Sequence, residues 1–300
     1  VVNKQRFITP LLGPIDFPHL VTRIAQSSHG AFYRHREGRI GRVLRVNEQP
    51  RFVEVGLCPL NPSMLAVTVY DGIQADEHEV RQLVSHLFSL ETDLLAFYEH
   101  SAHDPRLQQL VTRLSGARML RDADLFSSVI SSVISQQINL KFAAELKRRL
   151  WCLTGERVLI DGEEFYADPT PGAIAQLSYD QLRQMQYSQR KAEYVIDFAR
   201  SIESGQIDLG FLANLDDEEF ILHLSRARGL GRWTAECVLL FGLGRPDLLP
   251  ANDVGLQKAV SSVWGIDCRI TEKELREKSS AWKPWSSWYT YYLWLSLAKS

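Results

Sequence analysis

The sequence predicts an α+β protein, with an antiparallel β-rich N-terminal lobe followed by an all-helical region. Two observations predict it. Between about residues 29 and 72, apolar and polar residues alternate and turn signals recur, as in half-buried strands; beyond His103-Asp104-Pro105, the apolar spacing becomes that of helices and stays so to the C-terminus. The change of period divides the chain into domains 1–104 and 105–300. With 300 residues, 45% of them hydrophobic, there is material for two cores.

In the first lobe, Ala31-Phe32-Tyr33-Arg34-His35-Arg36 and Arg39-Ile40-Gly41-Arg42-Val43-Leu44-Arg45-Val46 flank Glu37-Gly38, a hairpin signal. Phe52-Val53-Glu54-Val55 and Met64-Leu65-Ala66-Val67-Thr68-Val69-Tyr70 continue the β pattern, with Asn61-Pro62 and Asp71-Gly72 as turn markers. A helix is expected from about Glu77 to Leu90. In the second region, Leu125, Phe126, Val129, Ile130, Val133 and Ile134 form one apolar stripe, and Phe142, Leu146 and Leu150 another. Thr170-Pro171 reads as a cap and first turn, and Ser188 opens a basic helix that Gly205 closes. Asp216 with Glu219, and Thr271 with Glu274, repeat a capping spacing.

Composition narrows the function classes. A net charge of -2 argues against a uniformly basic coat, so any contact with a polyanion has to be local. Cys58, Cys152, Cys237 and Cys268 are dispersed and lack the spacing of a zinc or iron–sulfur knuckle, so no metal cluster is expected. No apolar run approaches the roughly 20 residues of a bilayer span. The opening residues carry no secretory pattern, and cytoplasmic residence in a bacterium, or nuclear residence in a eukaryote, is expected.

The segment from Asp216 to Phe241 carries the most information. A short helix runs through Leu224, Arg228-Gly229-Leu230-Gly231-Arg232 follows, and a second helix begins near Trp233. Two glycines two apart let the backbone turn tightly with its N–H groups facing outward at a helix start, a nest that suits phosphate. Arg226, Arg228 and Arg232 add positive charge beside it. Read locally, Asp253 in Pro250-Ala251-Asn252-Asp253-Val254-Gly255 is a helix N-cap or a working carboxylate, and the two roles can coexist.

Gly229-Leu230-Gly231-Arg232-Trp233-Thr234-Ala235, followed 15 residues later by the Asp253 loop, resembles the helix-hairpin-helix motif (about residues 216–241 here), Gly/Pro-rich loop and aspartate of the HhH-GPD DNA glycosylase superfamily. Within it the chain is similar to the bacterial 3-methyladenine DNA glycosylase II type. Ile134-Ser135-Gln136-Gln137-Ile138 resembles that type's wedge turn, Trp282-Lys283-Pro284-Trp285 its C-terminal signature, and the β-rich first hundred residues its amino-terminal lobe.

The resemblance implies an HhH-GPD core in the helical region and a double-stranded DNA partner containing a damaged base, engaged by a monomer. It implies that Asp253 stabilises the oxocarbenium character that develops as the glycosidic bond breaks. Trp233 stands where strand-cutting members carry a Schiff-base lysine, and Arg232, always protonated, cannot replace it, so hydrolysis that spares the strand is expected. Trp233 and Trp294 would offer aromatic faces to a cationic alkylated purine of the 3-methyladenine or 7-methylguanine type, with Cys237 in the same pocket. Trp294 also reads as core packing among Trp288, Tyr289, Tyr291 and Tyr292. Arg228, Gly229, Gly231, Arg232 and Thr234 would contact the DNA, and Gln137 would plug the gap left by the flipped base or else cap its helix. Two positions depart from the pattern: Cys237 replaces an aromatic residue found in some relatives, and Ser286 a frequent basic one. No organic cofactor is required, and a sodium or potassium ion at carbonyls near Arg228, Gly229 and Gly231 is a family feature. The rival readings are an oxidised-purine (8-oxoguanine type) glycosylase/lyase and a non-catalytic helix-hairpin-helix DNA-binding module.

Overall fold

The computed structural model describes residues 4–26, 32–70 and 75–297. The first part is a five-stranded antiparallel sheet of β1 (Lys4–Pro10), β2 (Arg34–Arg36), β3 (Arg39–Val46), β4 (Gln49–Cys58) and β5 (Asn61–Tyr70), in the order β1-β5-β4-β3-β2. Glu37 and Gly38 both take positive φ at the expected β2–β3 turn. The Asp71-Gly72 marker and the first residue of the expected hairpin, Ala31, lie outside the described residues.

Odd-numbered side chains of β4 and β5, among them Val53, Val55, Val67 and Val69, pack on α1 (Phe17–Gln26) and α2 (Glu77–Phe88), which bring Phe17, Leu20, Val80 and Val84. α2 begins where expected, because Asp76 accepts from the amides of His78 and Glu79.

The rest is helical: α3 (Leu94–His100), α4 (Pro105–Arg113), α5 (Leu125–Ser135), α6 (Leu140–Thr154), α7 (Pro171–Ala175), α8 (Tyr179–Gln184), α9 (Gln189–Glu203), α10 (Leu209–Ala213), α11 (Asp217–Leu224), α12 (Arg232–Val238), α13 (Val254–Trp264), α14 (Glu272–Lys278) and α15 (Ser286–Ser296). A π turn, Leu239–Leu243, extends α12. The expected caps form: Thr170 accepts from Ala173 N, Ser188 from Lys191 N and Asp216 from Glu219 N, and Thr271 with Glu274 closes a reciprocal box. The apolar stripe of α5 sits at the centre of this core, with Val129, Ile130 and Val133 fully buried. Leu94 and Phe97, on the N-terminal side of residue 104, pack into the same core. Among the described residues no helix is long and apolar enough to cross a membrane.

One element interrupts the helices. β6 (Arg157–Ile160) and β7 (Glu163–Tyr166) form a hairpin whose Asp161-Gly162 turn has φ of 52° and 86°. This two-residue signal matches that of Glu37-Gly38, but its strands are too short for their alternation to stand out. The hairpin lies on the far face of the N-terminal sheet, where Ile160, Ala167 and Phe165 join Val43, Phe52 and Tyr70; the Phe52 and Phe165 ring centroids are 4.7 Å apart. With both faces covered, β4 is buried along its middle instead of alternating.

Buried polar groups fix the seam between the two parts. Arg42 of β3 pairs across it with Asp168, which also accepts 2.7 Å from Trp151 Nε1, all three buried. Removing one partner of such a buried pair leaves an uncompensated charge, at a cost of about 3–5 kcal/mol. Asp124 caps α5 here, accepting from the Ser127 amide at 2.7 Å and hydroxyl at 2.9 Å. The residue as a whole is exposed, but desolvation of its carboxyl first, and then the charge of Asp168, push that group up to about 6. The folded protein therefore holds this proton to higher pH than the unfolded chain, so the stability it contributes is full below about pH 4 and is lost as the pH rises through 6. Asp124→Asn keeps a good cap. Because solvent screens an exposed residue, the variant is expected to gain less than about 1 kcal/mol on the wild type between about pH 4 and pH 7 in urea unfolding, and identical pH profiles would contradict this assignment.

Candidate active site

Asp253 is where three helices converge. It is the N-cap of α13, and its Oδ1 accepts 2.6 Å from the amide of Leu256. From α12, Trp233 Nε1 donates to Oδ2 at 3.0 Å; from α15, Trp294 Nε1 donates to Oδ1 at 2.9 Å. The capping role and the convergence with both tryptophans thus occur together. A carboxylate has about four acceptor directions, and three are filled, leaving one on Oδ2.

The loop that carries Asp253 is stitched to the start of α15. Ser287 Oγ donates to Arg245 O at 2.6 Å and accepts from Leu248 N at 2.9 Å, while Gln257 Nε2 donates to Ala251 O at 2.8 Å. Ser286 is buried and donates to Asp247, which explains how a small side chain serves at that position. Trp233 and Trp294 are each half-buried, so Trp294 is not wholly absorbed into the core as Tyr289 and Tyr292 are. Phe241 stacks on Trp294 with centroids 5.8 Å apart and planes 17° apart. Cys237, one turn after Trp233, is buried; desolvation, followed by the charge of Asp253, raises its thiol well above the usual range and keeps it neutral.

The hairpin between α11 and α12 meets the turn after α5. Gly229 has φ +87°, and a Cβ there would lie 2.3 Å from the Tyr194 ring, so packing and backbone both demand glycine. A Cβ at Gly231 would meet nothing within 4 Å, so the fold does not impose that glycine. Gln136 Nε2 donates to Gly229 O and to Thr234 Oγ1, each at 2.9 Å. Thr234, expected to contact the DNA, is only 1% exposed, and its hydroxyl instead accepts from Gln136 in the turn after α5. Gln137 is exposed with φ +55°, while Gln136 is the α5 C-cap through its backbone.

The arginines are partly spoken for. Arg228 pairs with Glu193 at 2.7 Å, and Arg232 with Glu218 and with buried Glu236 at 3.0 Å. Arg226 is exposed and has no ion-pair partner among the described residues. The exposed pairs are worth about 0–1 kcal/mol and can be exchanged for a phosphate at small cost. Of the carbonyls offered to a monovalent cation, Gly229 O accepts from Gln136 and Gly231 O accepts 3.1 Å from Ala235 N; each keeps one lone pair. Gln136, Tyr194, Glu193 and Phe241 did not stand out in the sequence as site residues. Gln136 and Phe241 lay in the segments read there as wedge turn and hairpin, and Glu193 and Tyr194 in the helix that Ser188 opens.

A family model described as HhH-GPD superfamily base excision DNA repair protein matches residues 130–284, and one described as 8-oxoguanine DNA glycosylase, N-terminal domain, matches residues 21–128. The putative DNA-3-methyladenine glycosylase YfjP of Bacillus subtilis is 34% identical over 75% of this chain and 76% of its own length. The DNA-3-methyladenine glycosylase of the same organism is 29% identical over 90% of each chain. The solved 3-methyladenine DNA-glycosylase from Archaeoglobus fulgidus shares the fold, with a TM-score of 0.84 over 96% of this chain and 97% of that one at 24% identity.

The two hairpin glycines are expected to separate in a stability assay. Gly229→Ala should cost at least about 2 kcal/mol through its left-handed backbone and the Tyr194 ring, whereas Gly231→Ala should cost less than about 1 kcal/mol. Equal shifts in urea midpoint would refute this account of the hairpin.

Proposed function

The chain belongs to the HhH-GPD superfamily of base excision DNA repair proteins, and from that premise we propose that it flips an alkylated purine out of duplex DNA and hydrolyses its N-glycosidic bond. The base leaves, and an abasic site remains in an intact strand. The observation that carries the reading is the carboxylate of Asp253 held by two indole N–H donors, with tryptophan and not lysine at 233.

An N3- or N7-methylated purine is cationic, so its glycosidic bond is weakened before the enzyme acts. As the C1′–N bond breaks, its electron pair goes to the departing base, which leaves neutral. Positive charge grows on the sugar, and the Asp253 carboxylate stabilises it; an effect of this kind is worth about 10²–10³ in rate. A water oxygen then bonds to C1′, and its proton passes to solvent. The open direction on Asp253 Oδ2 is the acceptor that would orient this water. Because Trp233 and Trp294 turn their N–H edges to Asp253, their faces are fixed relative to the carboxylate, and the face of Trp294 away from Phe241 would stack on the flipped base. Cys237, neutral and buried, would contribute shape to the pocket and no nucleophile.

The hairpin amides near Gly229 and Gly231, with Arg226, Arg228 and Arg232, would hold the phosphate, and Gln137 would fill the vacated stack. A monovalent cation sharing the Gly229 carbonyl with Gln136 would add charge beside the phosphate and take no part in bond breaking. No organic cofactor is called for. One catalytic centre on one chain suits action as a monomer on double-stranded DNA.

Asp253→Asn should lower single-turnover base release by at least about a hundredfold and leave duplex binding unchanged or tighter. It also turns an amide toward one of two indole donors, so a modest loss of stability accompanies it. Trp233→Phe removes one donor and keeps a smaller aromatic face, and a smaller loss, about tenfold, is expected. Unchanged turnover in Asp253→Asn would refute the site.

The second reading, an oxidised-purine glycosylase/lyase, is favoured by the family description that matches residues 21–128. Borohydride reduction during reaction with duplexes carrying single defined lesions decides between the two. Free alkylated base without a covalent protein–DNA adduct is expected, and a trapped adduct would overturn the hydrolytic reading.

A further inference from the structure

We infer that Gln136 and Lys191 are positioning residues that lock the turn carrying Gln137 to the phosphate-binding hairpin, so that gripping the backbone and filling the stack become one rigid event. The inference rests on the reading proposed above. Gln136 and Gln137 are neighbours with opposite destinations. The first is half-buried and spends both amide N–H groups on the hairpin, at Gly229 O and Thr234 Oγ1; the second is exposed in the left-handed region. Lys191 Nζ donates to the carbonyls of Ile134 and, at 2.7 Å, of Gln136, gathering the carbonyls that the end of α5 leaves unpaired.

The first two turns of α9 therefore hold both loops. Lys191 holds the turn, while Tyr194 walls Gly229 and Glu193 pairs with Arg228. A left-handed glutamine is a strained conformation that persists where its surroundings over-determine it. The bonds of Gln136 and Lys191 supply that constraint immediately before Gln137. A side chain that must enter a base stack works only if its distance from the held phosphate is already set; otherwise insertion has to order the turn as well.

The test measures single-turnover release of an alkylated purine from two duplexes, one fully paired and one with the lesion opposite an abasic-site analogue, where flipping is already less costly. Gln136→Ala, and the near-isosteric Gln136→Glu that replaces donors with acceptors, should slow release from the paired duplex by about tenfold or more and from the other by less than about threefold. Affinity for undamaged duplex should stay within about twofold, because the hairpin still binds phosphate. Lys191→Met should reproduce this pattern and Lys191→Arg should restore most of the paired-duplex rate, with urea midpoints confirming that each variant is folded. Equal losses on both duplexes would mean a damaged catalytic centre, and no loss on either would mean a contact without consequence; each overturns the inference. Wild-type protein that releases no base from either duplex would bring down the glycosylase reading and this inference with it.

Discussion

The structure turns on the carboxylate of Asp253 and the two indole N–H groups that meet it. Trp233 opens α12, Asp253 caps α13 and Trp294 sits near the end of α15, so three bonds tie together helices from three stretches of chain. An unpaired polar group in a half-buried site is costly, and mutual satisfaction makes this arrangement self-consistent. The same bonds that place the carboxylate orient both rings, so carboxylate and aromatic surfaces share one geometry.

Everything around that point holds it still. Ser287 pins the loop before Asp253 to α15, and the tyrosines of α15 reach back to the chain before α5: Tyr291 and Tyr292 hydroxyls donate to the carbonyls of Arg118 and Ala117 at 2.9 and 3.0 Å. The Asp122 amide donates 3.1 Å to the carbonyl of Phe241, the residue stacked on Trp294. The N-terminal sheet is held to this frame through Arg42–Asp168 on one side and the β6–β7 hairpin on the other. The N-terminal lobe is also bonded to the residues that lead into α5: Arg118 donates to Pro14 O, Ser89 to Met119 O and the Arg121 amide to Leu87 O.

Charge is distributed sparingly, in keeping with a net of -2. Arg228 and Arg232 at the hairpin face their own carboxylates, so the free surface is less basic than three clustered arginines would suggest. Such pairs suppress indiscriminate attraction to polyanions; the exposed Arg232–Glu218 pair is cheaply exchanged, whereas the bond of Arg232 to buried Glu236 is not. Backbone amides are the part of the hairpin that needs no such exchange.

Much of this was legible in sequence. The switch from strands to helices, the stripe on α5, the caps at Thr170, Ser188, Asp216 and Thr271, and the chain of motifs leading to Asp253 are local patterns, and local patterns reflect backbone preference and burial directly. The hairpin at Asp161-Gly162 escaped because its four-residue strands lie among helices and owe their stability to a sheet formed by distant residues. The sequence could name Trp233, Asp253 and Trp294, but the N–H bonds joining them, the diversion of Arg228 and Arg232, and the reach of Gln136 across 93 residues to Gly229 exist only after folding. Residue type and spacing by themselves determined the strand-then-helix order of the chain, its helix caps and the position of Asp253 at the start of a helix. Which donors it receives, and which neighbouring charges remain free, was decided by tertiary structure, because hydrogen bonds and ion pairs depend on distances that separation along the chain does not encode.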